Sequence, residues 1–367
     1  MIKIIKIFKQ TAAVFMIIVL SAGLFAGCTQ TNTNNSDKTN SNNTSEKPVK
    51  INYTETLKVY NASEYIDETT ISDFEKEFAI KIEYYEFDSN EDMYGEISAN
   101  PNEYDVLVPS DYMIDRLIKE NKLEKLDKTK VTNIANVAEE YLNPVYDPNN
   151  DYVIPYMVGT LGILYNKYYV KDTVDSWTLL FDAKYKDKVL LLDSQRDTIG
   201  ATLKMLGYSL NSGDDNELSQ VKSKLQDIRY NAAYDESEVI RDKMVAGEGV
   251  LGVVYSGDAK TAADRNPDLA YVIPKEGSNK WVDGFVIMKN TKHLDAAEKF
   301  INFMCRPNIA VRNMTKTGYT SPIKGAWSEF GGNKIMFPTE EELARCEAFL
   351  YDANAAAKYD KLWNEVH

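Results

Sequence analysis

Acidic side chains outnumber basic ones 56 to 42 in a chain of 367 residues, and a surface with a formal charge of −14 repels phosphate backbones, which argues against a nucleic-acid partner. With two histidines in the whole chain, Ser-His-Asp or Cys-His catalysis would have to run through His293, which sits in a polar turn before a helical pattern. Cys305 and Cys346 lie in apolar or helical patterns without C-x-x-C spacing, so no metal site or disulfide framework is signalled; two separate buried thiols are the first reading and a single bridge the alternative.

The first fifty residues read as an export signal and a tether. Lys3, Lys6 and Lys9 make a basic start, residues 12–20 supply an apolar stretch too short to span a bilayer comfortably, and Leu24-Phe25-Ala26-Gly27-Cys28 has the form of a lipobox. Residues 1–27 are therefore expected to be a lipoprotein signal peptide, cut before an acylated Cys28. An ordinary signal peptide or a short anchor is the alternative. Residues 1–27 carry three lysines and no acid, so the mature chain would have a charge of −17. Residues 28–50, rich in Thr, Asn and Ser, cannot bury apolar surface and form a flexible tether. The remainder, long enough for two domains, should work outside the cytoplasmic membrane, lipid-anchored to it.

From there strand and helix alternate. Leu57-Lys58-Val59-Tyr60 reads as a strand, Ile71, Phe74 and Phe78 recur at helical spacing, and Ile80-Lys81-Ile82-Glu83-Tyr84 returns to period two, a βαβ unit implying a parallel sheet. Val106-Leu107-Val108 follows, closed by Pro109 and Ser110, and then a helix with Met113, Leu117 and Ile118 on one face and Asp115 on the face expected to meet solvent. Further buried strands are expected at 160–165, 189–192, 250–255, 271–273 and 285–288, with a helix through Leu218, Val221, Leu225 and Ile228. The pattern is that of an α/β protein.

In open parallel sheets ligands lie beyond the carboxyl ends of the strands. Those positions share one chemistry here. Asn61 to Tyr65 follow the first strand, Ser110, Asp111 and Tyr112 the third, Asp193, Ser194 and Asp197 the Leu-rich strand, and Tyr255, Ser256 and Asp258 the next, while Trp281 and Asp283 precede Phe285. Carboxylates and aromatic rings together suit an alkyl ammonium, because rings cover methylenes and attract the cation while carboxylates pair with the amine ends. Asp111, Asp197 and Asp258 read equally as first-turn helix acids, and Tyr255 and Trp281 as core. Asp283 has no following helix to cap.

At these residues a resemblance becomes specific. Tyr60-Asn61-Ala62-Ser63-Glu64-Tyr65-Ile66, Asp88-Ser89-Asn90-Glu91-Asp92-Met93-Tyr94, Tyr104 through Tyr112, Asp147 through Tyr152, Pro274-Lys275-Glu276-Gly277 through Asp283, and Gly318-Tyr319 resemble the spermidine/putrescine-binding proteins of bacterial ABC importers, in order from about Leu57 to the C-terminus. The resemblance implies a two-lobed periplasmic-binding-protein fold, each lobe a mainly parallel sheet flanked by helices, with the ligand cleft between them. Lobe 1 would be 51–158 and 284–320, and lobe 2 would be 159–283 and 321–367. It also implies polyamine capture and delivery to an ABC permease and its ATPase, with no enzymatic activity, cofactor or metal. The ligand residues it implies are Ser63, Glu64, Tyr65, Phe87, Tyr112, Asp193, Asp197, Tyr255, Trp281, Asp283 and Tyr319, with Asp283 on a central or terminal amine and Asp197 and Glu64 on others. The chain departs from the family at Ala62, where Trp is usual, at Tyr255, often Trp, in a shorter acidic run after the Leu-rich strand, and near Phe349, where a glutamine is missing. The same fold binding another organic cation or amino-acid derivative is the alternative, and an extracellular enzyme with paired carboxylates, such as a glycosidase, is a third reading.

Overall fold

A computed structural model describes residues 51–228 and 232–366. The expected signal peptide, the tether and the Cys28 lipidation site fall outside the described residues. In chain order the main elements are β1 (Glu55–Ala62), α1 (Glu68–Phe78), β2 (Ile80–Phe87), α2 (Asn90–Ala99), β3 (Val106–Leu107), α3 (Asp111–Lys119), β4 (Leu123–Glu124), β5 (Val153–Asn166), β6 (Val189–Leu192), α4 (Gln195–Met205), α5 (Asp215–Ile228), β7 (Ala232–Asp235), α6 (Ser237–Ala246), β8 (Leu251–Tyr255), α7 (Ser256–Arg265), β9 (Leu269–Val272), β10 (Lys280–Met288), α8 (Leu294–Met304), α9 (Pro307–Thr317), α10 (Glu340–Ala344) and α11 (Ala353–Val366).

Local chemistry sets these boundaries. Asp67 caps α1 by accepting the Thr69 N–H at 2.8 Å, and Ala79 closes the helix in the left-handed region at φ 54°, which turns the chain directly into β2. β1 then pairs in parallel with β2, Glu55 opposite Ile80 through Ala62 opposite Phe87, and with β3. Alternation sorts side chains between two cores. Leu57, Val59, Val106, Phe285 and Ile287 meet α1, α8 and α9 on one face, while Tyr60, Leu107, Val286 and Met288 meet α2 and α3 on the other. A separate cluster built on β6, β8, α4 to α7 and α11 forms the second lobe.

The strand order is β2-β1-β3-β10-β5-β8-β6-β7, with β4 on β10 and β9 on β5. Outer strands are parallel; the central ones are not. β5 is fourteen residues long, and the strand expected at 160–165 is only its second half. Its first half pairs antiparallel with β10 and its second half with β8 and β9, so one continuous strand runs from one core into the other. β10 runs alongside in the opposite sense, with a register shift between Asp283 and Gly284. The stretch 321–367 does not pack as one block on the second lobe. Ile323, Ala326 and Met336 join the first cluster, because the chain after Tyr319 crosses Val158 and Val137 before leaving, and Tyr359, Leu362 and Val366 join the second. Asp115 also differs from expectation, being 8% exposed with Lys119 closing over it at 2.7 Å. Cys305 and Cys346 are both buried and free.

Candidate ligand-binding cleft

The carboxyl ends of β1, β2 and β3 face those of β6 and β8 across a cavity of about 710 Å3. Ser63, Glu64, Tyr65, Phe87, Tyr112, Asp193, Asp197, Tyr255, Trp281, Asp283 and Tyr319 all line it, and its carboxylates outnumber its basic side chains eleven to four. Among the described residues no helix is long and apolar enough to cross a membrane, and no group of three or more His, Cys, Asp or Glu is arranged to hold a metal ion.

Aromatic rings form a continuous wall. Ring centroids of Tyr65 and Tyr319 lie 5.4 Å apart, Tyr319 and Trp281 5.2 Å, and Trp281 and Tyr255 6.1 Å, all edge to face. Two glycines make room for it. A Cβ on Gly159 would come within 2.4 Å of the Trp281 ring, and one on Gly257 within 2.6 Å of Tyr319. Tyr156 donates to the Tyr65 carbonyl at 2.6 Å and fixes the turn after β1.

The tyrosine hydroxyls are already committed to carboxylates, which leaves ring edges and faces for a ligand. Tyr65 donates to Asp283 Oδ2 at 2.8 Å, Tyr255 to Asp197 Oδ2 at 2.8 Å and Tyr319 to Asp258 Oδ2 at 3.0 Å. The second oxygen of Asp283, Oδ1, is shielded from solvent and has no hydrogen-bond partner, although the residue as a whole is partly exposed. Burial pushes its carboxyl up to about 6, with the nearby Ser110 hydroxyl and then that of Tyr65 offsetting part of the rise and the charge of Asp197 adding to it. Asp197 is better provided for. Ser194 donates at 2.8 Å and the Asn279 amide at 3.1 Å, and with Tyr255 these donors offset part of the burial that still holds its carboxyl above the usual carboxylate range. Asp258 is held by Ser237, Tyr319 and Arg241.

Asp111, which sequence reasoning reads as a possible helix-end acid, is 4% exposed in the same cavity. It does not cap the helix in the usual way; it accepts the N–H of its neighbour Tyr112 at 2.7 Å. Asn90 holds the corner on which it sits, donating to Ser110 Oγ and accepting the Ser110 N–H, both at 3.0 Å. Ser110 in turn bridges Asp283. Burial pushes the Asp111 carboxyl up to about 8, and the charges of Asp283 and Asp197 add to it.

The rim is more exposed and pairs across the cleft. Glu64, expected on an amine, meets Arg241 of α6 at 3.2 Å with most of its side chain in solvent. Arg196 lies over the Tyr112 ring at 4.2 Å while the Tyr112 hydroxyl donates to Glu91 at 3.0 Å. Ser63 donates to Asp88 at 3.1 Å, and Phe87 packs edge-on against Tyr60. Asp193 is exposed at the end of β6, near Glu236, whose carboxyl is pushed up to about 7 by burial and then by Glu238, Asp193, Asp88 and Asp92. Sequence reasoning misses Arg196, Arg241, Glu236 and Asn279. Glu236 and Arg241 follow β7, a partly buried edge strand with no alternation to announce it.

A model of the family described as bacterial extracellular solute-binding protein matches residues 69–330. The chain belongs to that family. This solute-binding protein is 34% identical over 318 residues to the spermidine/putrescine-binding periplasmic protein of Escherichia coli K12, covering 85% of this chain and 91% of that one. A Listeria monocytogenes structure ascribed to a spermidine/putrescine ABC transporter superposes with a TM-score of 0.82 at 38% identity, covering 85% of this chain and 98% of that chain. A Treponema pallidum lipoprotein superposes with a TM-score of 0.76 at 26% identity, covering 85% and 99%. The two-lobed α/β fold expected from the sequence is that of these neighbours.

Proposed function

We propose that this solute-binding protein captures spermidine or putrescine outside the cytoplasmic membrane and delivers it to an ABC permease and its ATPase, without turning the ligand over. The observation that carries this reading is the Asp283 carboxylate, one oxygen shielded and unpartnered, set against the rings of Tyr65, Trp281 and Tyr319. An ammonium group supplies the missing donor and the missing charge, and the rings accommodate its alkyl chain. The names of the E. coli and Listeria relatives support the same ligand class. The ligand residues in this reading are the eleven expected from the sequence, with Asp283 central and Glu64 and Asp193 as rim charges.

Residues 1–27 are read as the signal peptide and Cys28 as the lipidated residue, supported by the Leu24 to Cys28 motif and by the lipoprotein nature of the Treponema relative. We place lobe 1 at 51–158 and 284–320 with 321–337 added, and the remainder in lobe 2. The test is calorimetry and thermal shift with putrescine, spermidine and a neutral sugar. One-to-one polyamine binding at about micromolar affinity, near −8 kcal/mol, is expected, with no competition by the sugar. A folded, ligand-free sample giving neither heat nor stabilisation at millimolar polyamine refutes it. Ala62, in place of the family's tryptophan, favours a second reading in which a bulkier organic cation occupies the same cleft.

A further inference from the structure

The cleft contains two shielded acceptor oxygens without a donor. One is Asp283 Oδ1; the other is Oδ1 of Asn279, a residue 6% exposed just before β10. The orientation of the Asn279 amide is fixed from outside, because Asp197 Oδ1 can only accept, so the nitrogen must face it and does so at 3.1 Å. The carbonyl oxygen is thereby turned away from Asp197 and left with nothing to accept. The backbone around it is rigid. Leu161 N–H donates to the Asn279 carbonyl at 3.0 Å and Ser278 Oγ to the Leu161 carbonyl at 2.7 Å. A buried unpaired amide oxygen costs about 1–3 kcal/mol, a cost removed when a ligand brings an N–H.

Asn279, Trp281 and Asp283 are two residues apart along one extended segment, so they project to the same side, and all three line the cavity. The ladder between 280 and 283 is regular, since the register shift comes only after Asp283. Acceptor, indole ring and acceptor therefore stand in a row, with the outer two about 13 Å apart along the strand. None of the cavity's four basic groups donates to either oxygen: Arg196 lies on Tyr112 beside Glu91, Arg241 is held by Asp258 and Glu64, Arg265 pairs with Asp242, and Lys316 makes no hydrogen bond to them.

We infer that the Asn279 side-chain carbonyl is a ligand contact, accepting an N–H of a second ammonium group whose charge is met by Asp197, at the far end of the row from Asp283. This rests on the amine reading above and extends it to a ligand long enough to touch both ends, with Trp281 covering the methylenes between. Asn279 is thus a length-reading residue, sensitive to whether the amine reaches it.

The test is calorimetry on the full mature domain with spermidine and, by competition, n-butylamine, comparing wild type with Asn279→Ala. Spermidine should weaken about ten-fold in the variant, as for a lost charge-assisted hydrogen bond, while butylamine, which has one ammonium and seats it at Asp283, changes less than about two-fold. Equal losses for both ligands would mean that Asn279 acts only by supporting the fold, and would overturn the inference, as would unchanged spermidine affinity. Repeating the comparison on an Asp197→Asn background separates the cases further: a spermidine loss that persists there marks a direct contact, and a loss that disappears there means that Asn279 acts only through Asp197 and overturns the inference. If wild type binds no polyamine at all, the amine reading itself fails, and that result is distinct from a selective null at Asn279.

Discussion

Asp111→Asn should stabilise the ligand-free protein, and by an amount that depends on pH. The carboxyl sits 4% exposed with its value pushed from 3.8 to about 8, chiefly by burial. At pH 7 the folded protein keeps a proton there that the unfolded chain releases near pH 4, so the wild type loses stability as pH rises from about 4 to about 8. Three pH units above the ordinary value, at about 1.4 kcal/mol each, set an upper limit of about 4 kcal/mol on this cost at pH 7. Asparagine matches the protonated acid in shape and still accepts the Tyr112 N–H, so it carries no such cost. The expected result from urea denaturation of polyamine-free samples is near equality with wild type at pH 4 and a gain of about 2–4 kcal/mol at pH 7 to 8. A variant destabilised by the same amount at both pH values would show that Asp111 is a structural acid whose charge the fold uses, and would refute the reasoning.

Asp283→Asn leaves a seated ammonium without its counter-charge and should weaken polyamine binding by about 2–5 kcal/mol in calorimetry; a loss below about 1 kcal/mol would make Asp283 a loop acid like an exposed ion-pair partner. Ala62→Trp adds a ring to the cavity wall beside Phe87 and should tighten spermidine binding a few-fold, about 0.5–2 kcal/mol. If it abolishes binding in a folded protein, a larger native ligand fills that space. Cys28→Ser should shift the protein from the membrane to the soluble fraction, or block its maturation, without altering ligand affinity of the purified domain; a wild type that incorporates no labelled fatty acid would remove the basis for the anchor.

Strands with period-two alternation between two apolar faces were legible, as at Leu57, Val59 and Tyr60, and so were helices with one greasy stripe, as in Leu218, Val221, Leu225 and Ile228. Two of the helices that wall the cleft, α4 and α7, were not. α4 buries Arg196, Asp197, Thr198 and Thr202, and α7 buries Ser256 and Asp258, so their inward faces are polar and carry little 3.6-residue signal. That same polarity is what makes them the cleft. Positions after strands located Asp283, Asp197 and Tyr255 because topology fixes where strand ends point. They could not separate Asp111 from a helix-end acid, since that depends on burial. Asp115 departs from the pattern for a related reason: α3 is covered on more of its circumference than a single-stripe helix, with Asp111, Tyr112, Met113, Ile114, Asp115 and Leu117 all buried. Asn279 left no mark in the pattern, because what sets it apart is an amide turned by a neighbour 82 residues earlier in the chain.

The uninterrupted course of β5 from one core to the other determines how this molecule can be taken apart. A cut within β5 severs a strand that belongs to both halves, and the segments after Met288 return first to one core and then to the other. Neither half is a continuous stretch of polypeptide. A ribosome emitting the chain must therefore deliver α8 and α9 before the first sheet can close its apolar face, so assembly of the half made first waits on residues made near the end.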